Sequence, residues 1–362
     1  MKIIIAGGGT GGHLFPGIAI AEEFLKRDQK NNILFIGTER GLEKRILGNM
    51  GFDLRTLDVE GVKGRGITKT IGALRKIPRS LFQSYRLIRD YCPDIVIGVG
   101  GYASGPAVMA AHFMGIKTAI AEQNALPGVT NRILGIFADR IFLTFSETKK
   151  WFSEKKIIVS GNPIRAAFLT GIQEPKKAAG KFTLLVFGGS QGAHSINTAV
   201  LDALPYLDEM KANLKIIHQT GSVDLKCVSE FYLSHGIDAD VLPFIMDMAQ
   251  AYRSSDLLIC RAGATSIAEI TVSGKAAILI PFPYAANDHQ TKNALALVKA
   301  GAAEMIAETS LNGKKLADII EHFYHHPEMI RDMKIKSARL GNEKAASDIV
   351  DICMQMATSR NL

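Results

Sequence analysis

The chain has 362 residues, 47% of them hydrophobic and 22% charged, with 34 glycines and a formal net charge of +8. That length exceeds a single hydrophobic core and predicts two domains of roughly 100–200 residues in a soluble α/β protein. Four scattered cysteines, Cys92, Cys227, Cys260 and Cys353, argue against a disulfide framework or a paired-cysteine metal site, and the positive charge asks for an anionic partner.

The first predicted element is an apolar strand, Lys2–Ala6, too short for the core of a signal peptide. It runs into Gly7-Gly8-Gly9-Thr10-Gly11-Gly12-His13 and then a helix predicted over about Pro16–Arg27. Glycine lets the backbone approach a ligand, and a helix N-terminus offers N–H groups and the positive dipole end to an anion. Gly7-x-Gly9-x-x-Gly12 formally satisfies the dinucleotide fingerprint, which also wants an acid closing the second strand; Glu39 is the nearest candidate. His13 either takes a proton from a sugar hydroxyl as a neutral imidazole or bonds the backbone where the helix begins.

Strand Ile33–Ile36 and helix Leu42–Met50 follow. Between Val62 and Tyr91 stand eight cations, Lys63, Arg65, Lys69, Arg75, Lys76, Arg79, Arg86 and Arg89, against the single Asp90. Ile71, Leu74, Ile77, Leu81, Phe82 and Tyr85 interleave at near-helical spacing, which suits a helix lying on an anionic bilayer. A solvated basic helix with its apolar stripe on its own core is the competing explanation, and RNA binding would want more aromatic platforms.

Ile95–Ile116 carries no Asp, Glu, Lys or Arg over a membrane-spanning length, yet Gly98, Gly100, Gly101, Gly105 and Pro106 interrupt it. It divides into strand Ile95–Val99, turn Gly100–Pro106 and helix Ala107–Met114, and the Tyr102 and Ser104 hydroxyls make the turn either a phosphate site or a purely structural device. Strand Thr118–Glu122 ends in Glu122-Gln123-Asn124, polar residues where α/β folds bind ligands. Strands Arg140–Phe145 and Ile157–Val159 and the turn Gly161-Asn162-Pro163 close this half, and Gly171–Lys181 reads as a connector.

The second half repeats the pattern. Strand Phe182–Phe187 enters Gly188-Gly189-Ser190-Gln191-Gly192-Ala193 and a helix over Ser195–Leu204, so two strand–glycine turn–helix units stand about 180 residues apart. Strands Lys215–His218, Val241–Pro243, Leu257–Cys260 and Ala276–Pro281 follow. Arg261-Ala-Gly263 after the third of these starts a helix in which Glu269 either accepts a ribose diol or answers the helix dipole. Asp288-His289-Gln290 can bond sugar hydroxyls, and the last helix, about Asn342–Ala357, can pack back across the domain junction.

Seven motifs in series, GGGTGGH, GGYASGP, EQNALPGVTNR, GNPIR, GGSQGA, RAGATSIAE and DHQTKNA, resemble the MurG family of bacterial peptidoglycan N-acetylglucosaminyltransferases from residue 1 to about 350. The resemblance implies a GT-B fold, two Rossmann-like parallel-sheet domains facing each other across a cleft. Residues 1–164 would take the lipid I acceptor and the membrane, 165–340 UDP-GlcNAc, and 341–362 would be a helix returning to the first domain. By position, Thr10, Gly11, Gly12, Asn124, Arg165, Ser190, Ile245, Ala264, Thr265, Ser266, Ile267, Ala268, Glu269 and Gln290 fall on the donor-binding set. The family's His-Glu-Gln-Asn reads Ala121-Glu122-Gln123-Asn124 here, which leans the base role toward His13, or less so Glu122.

The implied reaction moves GlcNAc from UDP-GlcNAc to the muramoyl 4-hydroxyl of lipid I with inversion, giving lipid II. It takes place at the cytoplasmic face of the cell membrane, with the enzyme peripherally bound to the anionic surface and nucleic acid playing no part. No Asp-x-Asp metal clamp stands out, so no cofactor is expected and a divalent ion helps at most. The alternatives are a UDP-GlcNAc 2-epimerase of the same architecture, an NAD-dependent oxidoreductase, and a non-catalytic UDP-sugar-binding membrane protein.

Overall fold

The computed structural model describes residues 1–38, 43–59, 67–169, 180–285 and 288–359, and the side chains of 45 and 67–77 fall outside that description. Glu39, residues 62–66 of the basic segment, and 171–179 of the expected connector therefore lie outside the described residues. The chain forms two compact units, one of Met1–Ala166 with Glu343–Leu362 and one of Ala167–Asn342.

In the first unit β1 (Lys2–Ala6), α1 (Gly11–Arg27), β2 (Asn32–Thr38), α2 (Glu43–Asn49), β3 (Asp53–Leu57), α3 (Ile67–Tyr91) and β4 (Ile95–Gly98) come first. Then follow α4 (Ser104–Phe113), β5 (Lys117–Glu122), α5 (Val129–Phe137), β6 (Arg140–Leu143) and β7 (Ile157–Val159), with α6 (Ala166–Leu169) at the unit's edge. The strands form one parallel sheet in the order β3-β2-β1-β4-β5-β6-β7. Its central strands are apolar throughout because both faces are covered: Ile4, Val96, Ile120 and Ile141 share one core, and Ile3 and Ile5, on the opposite face, are equally buried.

The second unit holds β8 (Phe182–Phe187), α7 (His194–Ala203), β9 (Leu214–Gln219), α8 (Leu225–Ser234), β10 (Ala239–Leu242) and α9 (Met248–Ser254). It continues with β11 (Leu257–Cys260), α10 (Ala264–Val272), β12 (Ala276–Leu279), α11 (His289–Lys299), β13 (Glu304–Met305), α12 (Gly313–His325) and α13 (Pro327–Ala338). The sheet order is β10-β9-β8-β11-β12-β13, again all parallel. Alternate residues of β8 serve opposite cores: Leu184 and Val186 join α7 and α12, whereas Leu185 and Phe187 join α9 and α10.

The last helix, α14 (Ala345–Thr358), belongs to the first unit, where Arg27 of α1 pairs with Asp351 at 2.9 Å and donates to the Ser347 hydroxyl at 2.7 Å. Ile349, Val350 and Cys353 are buried on its inner face. Helix α1 begins at Gly11 rather than near Pro16, so the last glycines are its first turn. Strands β3 and β13 have no counterpart in the sequence-based expectation: one is half polar and exposed, the other two residues long.

Candidate active site

In both units the strand order reverses beside the first strand, between β1 and β4 and between β8 and β11. At such a switch point the flanking loops diverge at the strands' C-terminal ends and leave a crevice. The glycine turns stand at these two places, and the sequence dictates their form. Gly7, Gly8 and Gly9 all have positive φ, and a Cβ on Gly7 would strike the Gly100 carbonyl, as one on Gly101 would strike Gly8. Gly8 donates to the Gly100 carbonyl at 3.3 Å, so the turns after β1 and β4 interlock.

From this turn Thr10 leads into α1 with its side chain exposed and no side-chain cap on the helix. Gly11 and Gly12 are the first helical residues, and Gly11 lies against the Phe15 ring. His13 Nδ1 is 3.3 Å from the Thr10 hydroxyl, and the other edge of the ring lies against Gly100. Burial lowers the imidazole pKa below its ordinary value, while a hydrogen bond with the Gly8 backbone acts the other way; the ring is neutral near pH 7. The Arg165 guanidinium stacks on Phe15 at 4.1 Å, which brings it beside α1. Next to it, burial raises Glu22, opposed by the Ala166 amide and by Arg165.

Glu43, absent from the sequence-based site, is buried under this turn and accepts the Gly9 N–H at 2.6 Å.

Glu122 closes β5 at the same sheet edge, with β4 between it and β1. One carboxylate oxygen accepts the Asn124 amide at 2.9 Å and its side chain at 3.2 Å; the other accepts Gly128 N–H at 3.0 Å and Asn131 at 2.9 Å. Burial raises its pKa against the pull of these four bonds. Glu122 thus staples the loop that follows it, and Asn124 is one of the groups it holds. The Ser104 hydroxyl donates to the Gly101 carbonyl at 3.0 Å, a structural task within the third glycine turn, while Tyr102 is exposed.

In the second unit Gly189 and Gly192 take positive φ, and a Cβ on Gly192 would strike the Thr220 carbonyl. Ser190 sits partly exposed in this turn, ahead of α7, which has no side-chain cap. Across the switch point Arg261 is buried, donating to Ser195 of α7 at 3.0 Å and to the Ile280 and Pro281 carbonyls, and it pairs with Glu308. That ties the loops after β8, β11 and β12 together. Helix α10 starts at Ala264 behind an uncapped Gly263, so Ala264 to Glu269 make up its first six residues. Glu269 is buried, and its carboxylate, after burial itself, raises the Cys260 thiol at the end of β11.

Ile245 is buried, and its N–H is held at 3.0 Å by Gln219. Gln290 accepts the Phe282 N–H at 3.0 Å. Asn293, one turn further along α11, donates to the Ala262 carbonyl at 3.0 Å. Beneath the turn, Tyr232, neutral His218 and Asn197 form a buried chain of hydrogen bonds reaching Asp224, burial holding His218 at about 3.

An Asp-x-Asp triplet does occur, Asp238-Ala239-Asp240 at β10, correcting the expectation from sequence. Its carboxylates are paired with Lys181 at 2.9 Å and Lys215 at 3.0 Å. Among the described residues no group of three or more His, Cys, Asp or Glu side chains is placed to hold a metal ion.

The glycosyltransferase family 28 N-terminal domain matches residues 3–143 and the family 28 C-terminal domain residues 183–351. The chain is 64% identical over 98% of its length, and 99% of the relative's, to the UDP-N-acetylglucosamine–N-acetylmuramyl-(pentapeptide) pyrophosphoryl-undecaprenol N-acetylglucosamine transferase of Syntrophus aciditrophicus. The crystal structure of MurG from Acinetobacter baumannii superposes with a TM-score of 0.76 at 31% identity, covering 98% of this chain and 99% of that one.

The chain belongs to the MurG family.

Like other MurG-family chains it is a glycosyltransferase with two Rossmann-like parallel-sheet domains. The UDP-GlcNAc 2-epimerase of Neisseria meningitidis superposes with a TM-score of 0.70, covering 98% of this chain and all of that one, at 13% identity. That is a likeness of fold alone, and the MurG-family match displaces both the epimerase and the oxidoreductase alternatives.

Proposed function

We infer that this chain transfers GlcNAc from UDP-GlcNAc to the muramoyl 4-hydroxyl of undecaprenyl-pyrophosphoryl-MurNAc-pentapeptide, lipid I, to give lipid II for peptidoglycan. The observation that carries the reading is a glycine turn at the switch point of each sheet, in a chain of this family. The acceptor hydroxyl attacks C1 of GlcNAc as UDP departs from the opposite face, in one displacement with inversion. His13 is the base: its neutral ring sits beside the first turn with Nδ1 toward Thr10. Glu122 is the weaker candidate, because both its oxygens already receive two N–H groups.

Departing diphosphate is stabilised by amides of Gly188–Gly192, by the N-terminal end of α7 and by Arg165. Thr10, Gly11, Gly12, Asn124, Ser190, Ile245, Ala264 to Glu269 and Gln290 complete the donor set, with the Glu269 carboxylate on the ribose hydroxyls. No cofactor takes part, and a divalent ion helps at most, so turnover persists in a chelator.

The acceptor's lipid tail requires a peripheral dock on the anionic cytoplasmic surface, and α3 supplies it. Among its described side chains Ser80, Ser84 and Ile88 are buried, whereas Phe82 is 59% and Tyr85 44% exposed, with Arg86 over the Phe82 ring at 5.4 Å. These two aromatic residues face outward, not into the unit's core. No helix among the described residues is long and apolar enough to cross a membrane.

UDP release followed in a coupled assay tests the reaction. Release should depend on a lipid I analogue, and equal release without any acceptor would refute transfer to it.

A further inference from the structure

The end of β9 carries a side chain that none of the motifs includes. Gln219 is 1% exposed, and both ends of its amide are engaged. Its Nε2 donates to the Gly189 carbonyl at 2.7 Å, and its Oε1 accepts the Ile245 N–H at 3.0 Å. One planar amide therefore joins the glycine turn after β8 to the segment after β10, with strand β9 between them in the sheet.

The contact is built in by the backbone. Gly192 approaches the Thr220 carbonyl so closely that a Cβ has no room, and Gly221 approaches the Gln191 carbonyl in the same way. Thr220 in turn donates to the Leu242 carbonyl at 3.0 Å and accepts from Asn197 at 2.9 Å. The glycine turn rests on the loop after β9, and Gln219 is the strut that joins it to the segment after β10.

Only an amide fits this position. The Gly189 carbonyl needs a donor and the Ile245 N–H an acceptor, and glutamine supplies both at every pH, whereas a glutamate of the same length does so only when protonated. A carboxylate keeps the bond to Ile245 but sets a second acceptor against the Gly189 carbonyl. A methionine of similar shape makes neither bond.

We propose that Gln219 is a positioning residue of the donor site, holding the Gly188–Ala193 turn in register with the Ile245 segment so that the turn's amides are already aimed when the diphosphate arrives. Amides that need no reorganisation hold developing charge best, and such aim depends on the residues supporting the turn. The proposal rests on the donor-site assignment above.

The test compares full-length wild type, Gln219→Glu and Gln219→Met, with folding checked by thermal melting. UDP binding is measured by calorimetry and uridine binding by ligand-observed NMR. Gln219→Glu should weaken UDP about 10-fold or more while leaving uridine, which has no diphosphate for the turn to hold, within about 2-fold of wild type. Gln219→Met should weaken UDP at least as much. If Gln219→Glu does not fold, the methionine variant decides: a loss of UDP affinity of about 10-fold supports the role and an unchanged affinity overturns it. In a folded Gln219→Glu, wild-type affinity for UDP, or a proportionate loss of uridine, overturns it too. Failure of wild type itself to bind UDP would instead bring down the donor-site assignment.

Discussion

As letters in a sequence, Glu122 and His13 are both proton acceptors near a glycine turn; their surroundings separate them. Glu122 receives four N–H groups from residues two to nine positions further along the chain, so its lone pairs are spoken for by its own loop. His13 lies against Gly100 with Nδ1 beside Thr10, and burial keeps it neutral at physiological pH. His13→Ala should therefore lower kcat by about 10²–10⁴ with little change in the KM for UDP-GlcNAc. The base form is the unprotonated ring, so activity is lost as pH falls through the His13 pKa. Because that value is lowered, the acid limb of wild type lies below the ordinary 6.5, and the limb should vanish in His13→Ala kcat–pH profiles. Glu122→Gln sets an amide NH2 among N–H donors and should cost about 1–3 kcal/mol in a denaturant melt while leaving the acid limb in place. The residue types at this edge were legible in the sequence because polar side chains seldom end so apolar a strand. Their partners were not, since hydrogen bonds to backbone amides leave no mark in side-chain composition, and for that reason Glu43 and Gln219 were missed.

Elements with a strong period and a fixed stop were readable: Ile3–Ala6 of β1, Leu184–Phe187 of β8 and Leu257–Cys260 of β11 are unbroken apolar runs that end at glycine or arginine, and all three are buried. Segments whose pattern mixes two environments were less so. Among the described side chains of α3, Ser80, Ser84 and Ile88 are buried while Phe82 and Tyr85 look outward, so at these positions hydrophobicity alone points to the wrong face. That outward face should bind lipid. Reversing Arg79 and Arg86 to Glu removes attraction worth about 1 kcal/mol per cation at an anionic surface and adds repulsion. Co-sedimentation with anionic vesicles should fall at least about 10-fold and weaken with salt in wild type, with transfer to a short-chain soluble acceptor unchanged. Wild-type sedimentation by the double variant would exclude α3 as the dock. Helix α10, uncapped at the second switch point, carries Glu269 in its second turn. Removing that carboxylate by Glu269→Ala should cost roughly 1.5–3 kcal/mol in UDP binding by calorimetry, a lost charged acceptor for the ribose hydroxyls. Unchanged affinity in a folded variant would move the ribose elsewhere.

At the scale of the whole chain, two sheets whose order matches over six strands place a glycine turn at each of their switch points, and the repeat was visible as two strand–turn–helix motifs about 180 residues apart. The fold alone is shared with an epimerase acting on a UDP-sugar, so architecture cannot separate group transfer from isomerisation. What distinguishes them is the fate of the C1 bond. An epimerase inverts C2 and needs no acceptor; the reaction inferred here breaks the bond from C1 to UDP and makes one to the muramoyl oxygen, with inversion at C1. The decisive measurement is an NMR analysis of the product formed from UDP-GlcNAc labelled with ¹³C at C1 and a soluble lipid I analogue. The label should appear in a β-linked disaccharide on the muramoyl 4-hydroxyl, with UDP released in equal amount. An α-linked product would contradict the single displacement, and label recovered only in UDP-N-acetylmannosamine would contradict the transfer itself.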